Sequence, residues 1–219
     1  MKVIITGATG MVGEGVLHTC LRQSDMEEVL VLGRRTCEVK HVKLKEIILP
    51  DLFDISSHSD QLTGYDACYF CLGISSVGLS ADDYYRTTYS LTVQVGQTLS
   101  QLNPQMTFCY ISGAGTDSSE KGRSRWARVK GKTENDLMKL PFRQVYALRP
   151  GFIKSMEGMK RTNPWYKYVK WMFPIGRALY PAGFVTLDEL SNAMLNLTRK
   201  GYSKQVIEGN DIIQLARID

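Results

Sequence analysis

A doubly wound α/β fold around a parallel sheet is predicted by three features of this sequence. Short apolar runs alternate with helical patterns through the first 150 residues, the rhythm of consecutive βαβ units. The first apolar run passes directly into Thr6-Gly7-Ala8-Thr9-Gly10-Met11-Val12-Gly13, which opens the first helical pattern. After Pro150-Gly151 the rhythm changes, and residues 151–219 are too few to bury a core of their own. One domain over 1–219 is therefore expected, with 151–219 a reduced, dependent lobe.

The elements follow in order. Lys2–Thr6 reads as the first strand and Met11–Arg22 as the first helix, with Val12, Val16, Cys20 and Leu21 on one face. Val29–Leu32 and Leu44–Leu49 are the next strands, the latter stopped by Pro50. Ala67–Leu72 is the fourth. A long helix over Ala81–Gln101 carries Tyr84, Thr88, Leu91, Val95, Leu99 and, just beyond, Leu102 at spacings of three and four. Met106–Ile111 and Val145–Leu148 are strands flanking a helix at Arg125–Lys139, whose stripe is Trp126, Val129, Thr133 and Leu137. Leu187–Arg199 is an amphipathic helix with Leu187, Leu190, Met194 and Leu197 inward. Val206-Ile207 and Ile212-Ile213 read as two short strands. Asn163–Phe173 is aromatic and basic, and its stripe of Trp165, Tyr168, Val169 and Met172 suits an amphipathic helix capping the sheet, in preference to a substrate lid or a membrane-surface helix.

Composition narrows the function. At 219 residues, 43% hydrophobic and 22% charged, the chain has a globular balance. No apolar run reaches the roughly 18 residues of a membrane span, so stable membrane insertion is not expected. Met1–Thr6 enters a strand without a secretory leader, and a cytoplasmic location is the resulting expectation. The net charge of +5 is modest. Its main cluster, Lys154 to Lys170, is interrupted by apolar residues, which suits a substrate lip better than a nucleic-acid surface. Five cysteines without a leader read as reduced thiols. Cys68 and Cys71 form a C-x-x-C within a strand, where residues three apart face opposite ways. No second pair completes a metal site, and no metal is expected.

The glycine turn carries the sharpest functional signal. Gly7 permits a tight turn, Gly10 lets backbone approach a pyrophosphate, and Gly13 lets the helix pack close to the sheet. Thr9, Met11 and Val12 complete the phosphate cradle at a helix N-terminus. In NAD-selective folds an acidic residue about twenty positions on binds the ribose hydroxyls. Here the second strand ends in Gly33-Arg34-Arg35. Guanidinium groups pair bidentately with phosphate, so the expected cofactor is NADP. Asp51-Leu52 past the third strand suit either an adenine bracket or a helix cap. Cys71, Leu72 and Gly73 close the fourth strand, where backbone lines the crevice.

These motifs, with Tyr110-Ile-Ser112, Lys130-Gly-Lys-Thr-Glu134 and Arg149-Pro150-Gly151, resemble the short-chain dehydrogenase/reductase superfamily. The likeness is to its extended and atypical branches, nearest the NmrA-like and Tat-interacting-protein-like members. It spans nearly the whole chain, although 219 residues is short for an extended member. The resemblance implies a seven- or eight-stranded Rossmann sheet and a Ser–Tyr–Lys catalytic set. Ser112 and Lys130 match the serine and lysine, and Lys130 also the ribose ligand; Pro150 and Gly151 match the family's cofactor-lining turn. Trp126 stands where the tyrosine belongs, one helical turn before Lys130. An indole N–H donates a hydrogen bond and does not release a proton at neutral pH. Tyr84, Tyr85, Tyr89 and Tyr110 are the phenols within reach of the same region.

Two functions are therefore expected to compete. One is an NADP(H)-dependent oxidoreductase or epimerase-like protein acting on a small carbonyl compound. The other is a non-catalytic NADP(H) sensor. A semialdehyde dehydrogenase would need an activated cysteine and a larger second domain, and no cysteine here has an activating context. A small-molecule substrate is the expected partner, and a homodimer is compatible with the reading.

Overall fold

In the computed structural model, which describes residues 1–159 and 171–218, the chain forms a seven-stranded sheet. Strand β1 (Lys2–Thr6) leads through the glycine turn into α1 (Met11–Arg22), and β2 (Glu28–Gly33) and β3 (Leu44–Ile48) follow. A 3₁₀ segment over Leu52–Gln61 precedes β4 (Ala67–Phe70). Then α2 (Ala81–Tyr85) runs through a π-helical turn, Arg86–Ser90, into α3 (Leu91–Leu102). Next come β5 (Thr107–Ile111), α4 (Arg125–Leu137), β6 (Gln144–Arg149) and β7 (Phe152–Lys154). The last part holds α5 (Met172–Leu179), β8 (Phe184–Thr186), α6 (Leu187–Lys200), β9 (Val206–Glu208) and α7 (Gly209–Leu215).

The sheet order is β3-β2-β1-β4-β5-β6-β9, and every pairing is parallel. The order reverses between β1 and β4, so a crevice opens beyond their C-terminal ends. The central strands read as nearly continuous apolar runs because helices cover both faces. On one face α1 packs with α6, and Val16, Leu17 and Cys20 share a core with Leu187, Leu190 and Met194. On the other, α3 and α4 cover Ile4, Leu30, Phe70 and Phe108. The C-terminal residues thus complete the core begun by α1, and β7 and β8 add a separate two-stranded sheet.

Three expectations need correcting. Ile212-Ile213 is not a strand but the middle of α7, where Ile212 and Leu215 bury one helical face. The long helix is continuous only through the π-turn, which rotates Arg86 and Thr87 toward the crevice while Tyr84 and Thr88 stay buried. Of the predicted α4 stripe, Thr133 and Leu137 are buried and Trp126 and Val129 half-buried; Ala127 and Glu134 are buried beside them. The stripe through Trp165, Tyr168 and Val169 lies outside the described residues.

Helix α6 has well-defined ends. Thr186 accepts the Glu189 N–H at 3.1 Å, and the Glu189 carboxylate accepts the Thr186 N–H at 2.8 Å. The same carboxylate pairs with Arg177 on α5, so one cap fixes two elements. Removing the hydroxyl in Thr186→Ala is expected to cost about 1 kcal/mol, read as a fall in thermal midpoint of roughly 2–4 °C for a chain of this size.

Candidate cofactor site

The site begins with a contact between backbones. Gly7 has φ +71°, and a side-chain carbon there would sit 2.7 Å from the Cys71 carbonyl group. A side-chain carbon at Gly13 would sit 2.2 Å from the Gly7 carbonyl oxygen. Both approaches are closed to any other residue, and together they press the start of α1 onto β1 and β4. The Gly10 N–H closes the turn on the Gly7 carbonyl at 2.9 Å. No side chain caps α1 at Gly10, which leaves the first-turn N–H groups without a capping acceptor, the condition under which a helix N-terminus can receive an anion.

A cavity of about 690 Å³ opens over this turn, a size suited to a cofactor-sized ligand. Of the predicted residues, Gly7, Thr9, Gly10, Arg34 and Arg35 line it, as do Asp51, Leu52, Cys71, Leu72 and Gly73. Met11 and Val12 are half-buried and pack toward the core instead, and Gly13 lies beneath the turn. Ser112, Lys130, Pro150 and Gly151 do not line it. Asp51 serves as a cap: its carboxylate accepts the Phe53 N–H at 3.0 Å at the head of the 3₁₀ segment. The thiol of Cys71 is pushed up by burial.

Sequence reading missed Phe53, Leu79, Arg86, Thr87 and Leu91 on the cavity wall. The Arg86 guanidinium lies 5.3 Å from the centre of the Phe53 ring, a cation–π contact across the opening. Only the π-turn brings Arg86 here, and no local sequence signal marks that turn. Three arginines, Arg34, Arg35 and Arg86, thus border a cavity whose one lining carboxylate among the described residues is the capping Asp51. That balance suits a polyanion. A loop from this wall reaches α4, where Arg125 donates to the Leu79 carbonyl at 3.3 Å.

Around α4 stand the residues matched to catalysis. Lys130 donates from Nζ to the Ser112 carbonyl. Burial lowers its pKa, against the opposing pull of Glu134 one turn on. The Ser112 hydroxyl is buried and donates to the Leu148 carbonyl at 3.1 Å. Trp126 is half-buried, with its ring against Gly115. Pro150 accepts the Ala114 N–H at 2.9 Å, and Gly151 packs against the Gly183 carbonyl. These two therefore brace the β5 loop and the C-terminal lobe.

The phenols are committed elsewhere. Tyr89 donates to Asp136 at 2.8 Å and lies under Lys132, on a face of α4 away from Lys130. Tyr85 packs on Tyr89 with ring centres 4.7 Å apart. Tyr84 and Tyr110 are buried, and burial pushes both hydroxyls up.

Parallel strands reversing at a glycine-walled crevice define a dinucleotide-binding protein of the Rossmann class. Residues 3–133 match the NAD dependent epimerase/dehydratase family, and the chain belongs to it. Membership gives the protein an NAD(P)-dependent, epimerase- or oxidoreductase-like role. Among relatives, it is 26% identical over 166 residues to the fmp52 protein of Aspergillus clavatus, covering 73% of this chain and 70% of that one. It is 28% identical over 152 residues to FMP52-2 of Scheffersomyces stipitis, covering 68% and 65%. Among solved structures, Bordetella bronchiseptica WbmG in complex with NAD superposes with a TM-score of 0.69 at 14% identity, covering 94% of this chain and 71% of that one. UDP-glucuronic acid 4-epimerase from Bacillus cereus, also in complex with NAD, gives 0.68 at 16%, covering 99% and 83%. These likenesses show the shared fold.

The relatives also overturn one expectation. Both fmp52 proteins are named as mitochondrial, which conflicts with the cytoplasmic location inferred from the N-terminus. An address read by a receptor need not be an apolar leader, so that inference had no physical hold on location. No helix among the described residues is long and apolar enough to cross a membrane.

A buried ion pair anchors the α4 end of the site. Glu134 is fully buried and accepts from Arg149 Nε at 3.0 Å, and Arg149 also reaches Glu208 at 3.3 Å and Ser118. Breaking such a pair from one side leaves an uncompensated charge. Glu134→Ala is therefore expected to cost about 3–5 kcal/mol in urea unfolding. A loss below about 1 kcal/mol would mean that Glu208 and Ser118 satisfy Arg149 alone.

Proposed function

We propose that this protein binds NADP(H) and acts as an oxidoreductase or epimerase-like enzyme on a small carbonyl compound, with Trp126 in place of the usual tyrosine. The observation that carries the cofactor choice is the pair Arg34 and Arg35 on the cavity wall at the end of β2. Neither pairs with a carboxylate among the described residues. Their charge is uncommitted where an NAD-selective protein places an acid. The α1 N-terminus would hold the pyrophosphate, the cavity between Leu52 and Leu91 the adenine, and the two arginines the 2′-phosphate. Gly7 and Gly10 leave the cradle free of side chains, so the residues present fit the group.

When bound, the nicotinamide supplies or accepts a hydride. The chain's own groups then do the rest. Lys130 stands one turn from Trp126 and fixes the Ser112 backbone. Trp126 offers an N–H donor to a carbonyl oxygen but keeps its proton. General acid catalysis contributes about a hundred- to ten-thousandfold, so slow turnover of simple carbonyls is the expected behaviour.

The engagement of Tyr89 with Asp136 favours a second reading, a sensor that binds the dinucleotide without turnover, because it commits a phenol that could have replaced the missing acid. A panel of carbonyl substrates with NADPH separates the two. Slow but saturable reduction supports the enzyme; none at any concentration supports the sensor.

Two variants test the assignment. Losing a charged hydrogen bond costs about 1.5–3 kcal/mol. Arg34→Ala should therefore weaken NADPH roughly ten- to a hundredfold and leave NADH nearly unchanged in calorimetry. Equal affinity of the unmodified protein for both would contradict the cofactor choice. Trp126→Tyr should raise the carbonyl reduction rate, because a phenol would stand one turn from Lys130. Rapid turnover by the native protein would instead show that another group already delivers the proton.

A further inference from the structure

The loop that carries Arg34 and Arg35 is held from outside the cofactor cavity. Glu46 sits on the edge strand β3, opposite Val31 of β2. One carboxylate oxygen accepts the Thr36 hydroxyl at 2.8 Å, and the other accepts the Cys37 N–H at 2.7 Å. Thr36 in turn accepts the Glu38 N–H at 3.2 Å. Glu38 is one of two non-glycine residues among those described with positive φ, at 62°, a conformation that persists only when its surroundings impose it. Cys37 is buried, so the loop is pinned at its centre while Arg34, Arg35 and Thr36 stay exposed. Burial opposes the charge on Glu46, but the donors from Cys37 and Thr36 outweigh it and hold the carboxyl below its ordinary range. The carboxylate is thus ionised and able to accept both bonds.

A second cavity, of about 400 Å³, adjoins the first and is lined by Thr9, Arg35, Thr36 and Glu38. Glu46 lines neither cavity. Among the described residues this wall carries one carboxylate, Glu38, beside Arg35, so the placement of the guanidinium groups decides how well a phosphate is attracted. We propose that Glu46 is a positioning residue for cofactor selectivity. By clamping Thr36 and Cys37 it holds the Arg34–Arg35 segment in the one shape that favours a 2′-phosphate over a free ribose hydroxyl. The inference rests on the NADP(H) reading above and adds to it a residue that does not touch the ligand.

The mechanism is one of preorganisation. An unclamped loop must be ordered when the phosphate arrives, at a conformational cost. NADH makes no use of the loop's cations, so its affinity is insensitive to their order.

The test measures NADPH and NADH dissociation constants by calorimetry, with the thermal midpoint of each variant alongside. Glu46→Ala should weaken NADPH roughly three- to tenfold and change NADH less than about twofold. Glu46→Gln, which can accept the Cys37 N–H and donate to Thr36, should keep the native ratio. Thr36→Val should reproduce the loss, and the double variant Glu46→Ala/Thr36→Val should lose little more than either alone, because both break one linkage. If Glu46→Ala does not fold, the Thr36→Val and Glu46→Gln pair carries the same comparison.

An unchanged NADPH-to-NADH ratio in Glu46→Ala or Thr36→Val, within a native protein that prefers NADPH, overturns the role of Glu46 alone. Equal weakening of both cofactors does the same, since it assigns Glu46 to the scaffold. A native protein with no preference for NADPH removes the underlying reading and the clamp with it.

Discussion

The backbone of the β1–α1 turn lies against the backbone at the end of β4, and the rest of the site depends on that contact. Gly7 meets the Cys71–Leu72 peptide, and Gly13 meets the Gly7 carbonyl, at distances that exclude a Cβ. Separating them by even one methyl group would lift α1 off the sheet. Its N-terminus would no longer point into the crevice, and α6, which packs on α1, would lose its seat. The same contact fixes where Cys71, Leu72 and Gly73 run, and so shapes the cavity floor.

Around that fixed floor, charge is distributed unevenly. The cavity over the turn is bordered by arginines, and its one lining carboxylate among the described residues is occupied with capping. At the α4 end Arg149 pairs with the buried Glu134 and with the exposed Glu208, joining α4 to β6 and β9. Arginines without a carboxylate partner among the described residues at one end, and Arg149 neutralised at the other, suit a ligand whose phosphates lie over the turn. The Glu134–Arg149 pair fixes α4 against β6.

The sheet was legible in the sequence because a buried parallel strand must be apolar along its whole length, and β1, β2, β4, β5 and β6 each read that way. Strand β9 and helix α6 were legible for similar reasons, the latter from Leu187, Leu190, Met194 and Leu197, all buried. Helix α7 was not, because Ile212-Ile213 in isolation fits either period. The deciding signal was Asp211 three residues after Glu208, a reciprocal cap at the helix start. The glycine turn and Arg34–Arg35 were legible because their residue types have few other uses in that position. Arg86 and Phe53 were not, because a π-turn and a 3₁₀ segment, neither with a period that sequence reveals, bring them together. Glu46 was invisible for another reason: its partners lie nine and ten residues upstream, across a loop.

Everything proposed for the cofactor turns on whether the arginine-bordered end of the cavity receives a 2′-phosphate. The most direct measurement is a crystal structure of the protein soaked with NADP+. The pyrophosphate is expected on the N–H groups at the start of α1 and the 2′-phosphate within hydrogen-bond distance of the Arg34 or Arg35 guanidinium. A bound dinucleotide whose 2′-phosphate points into solvent, with both guanidinium groups turned away, would contradict it.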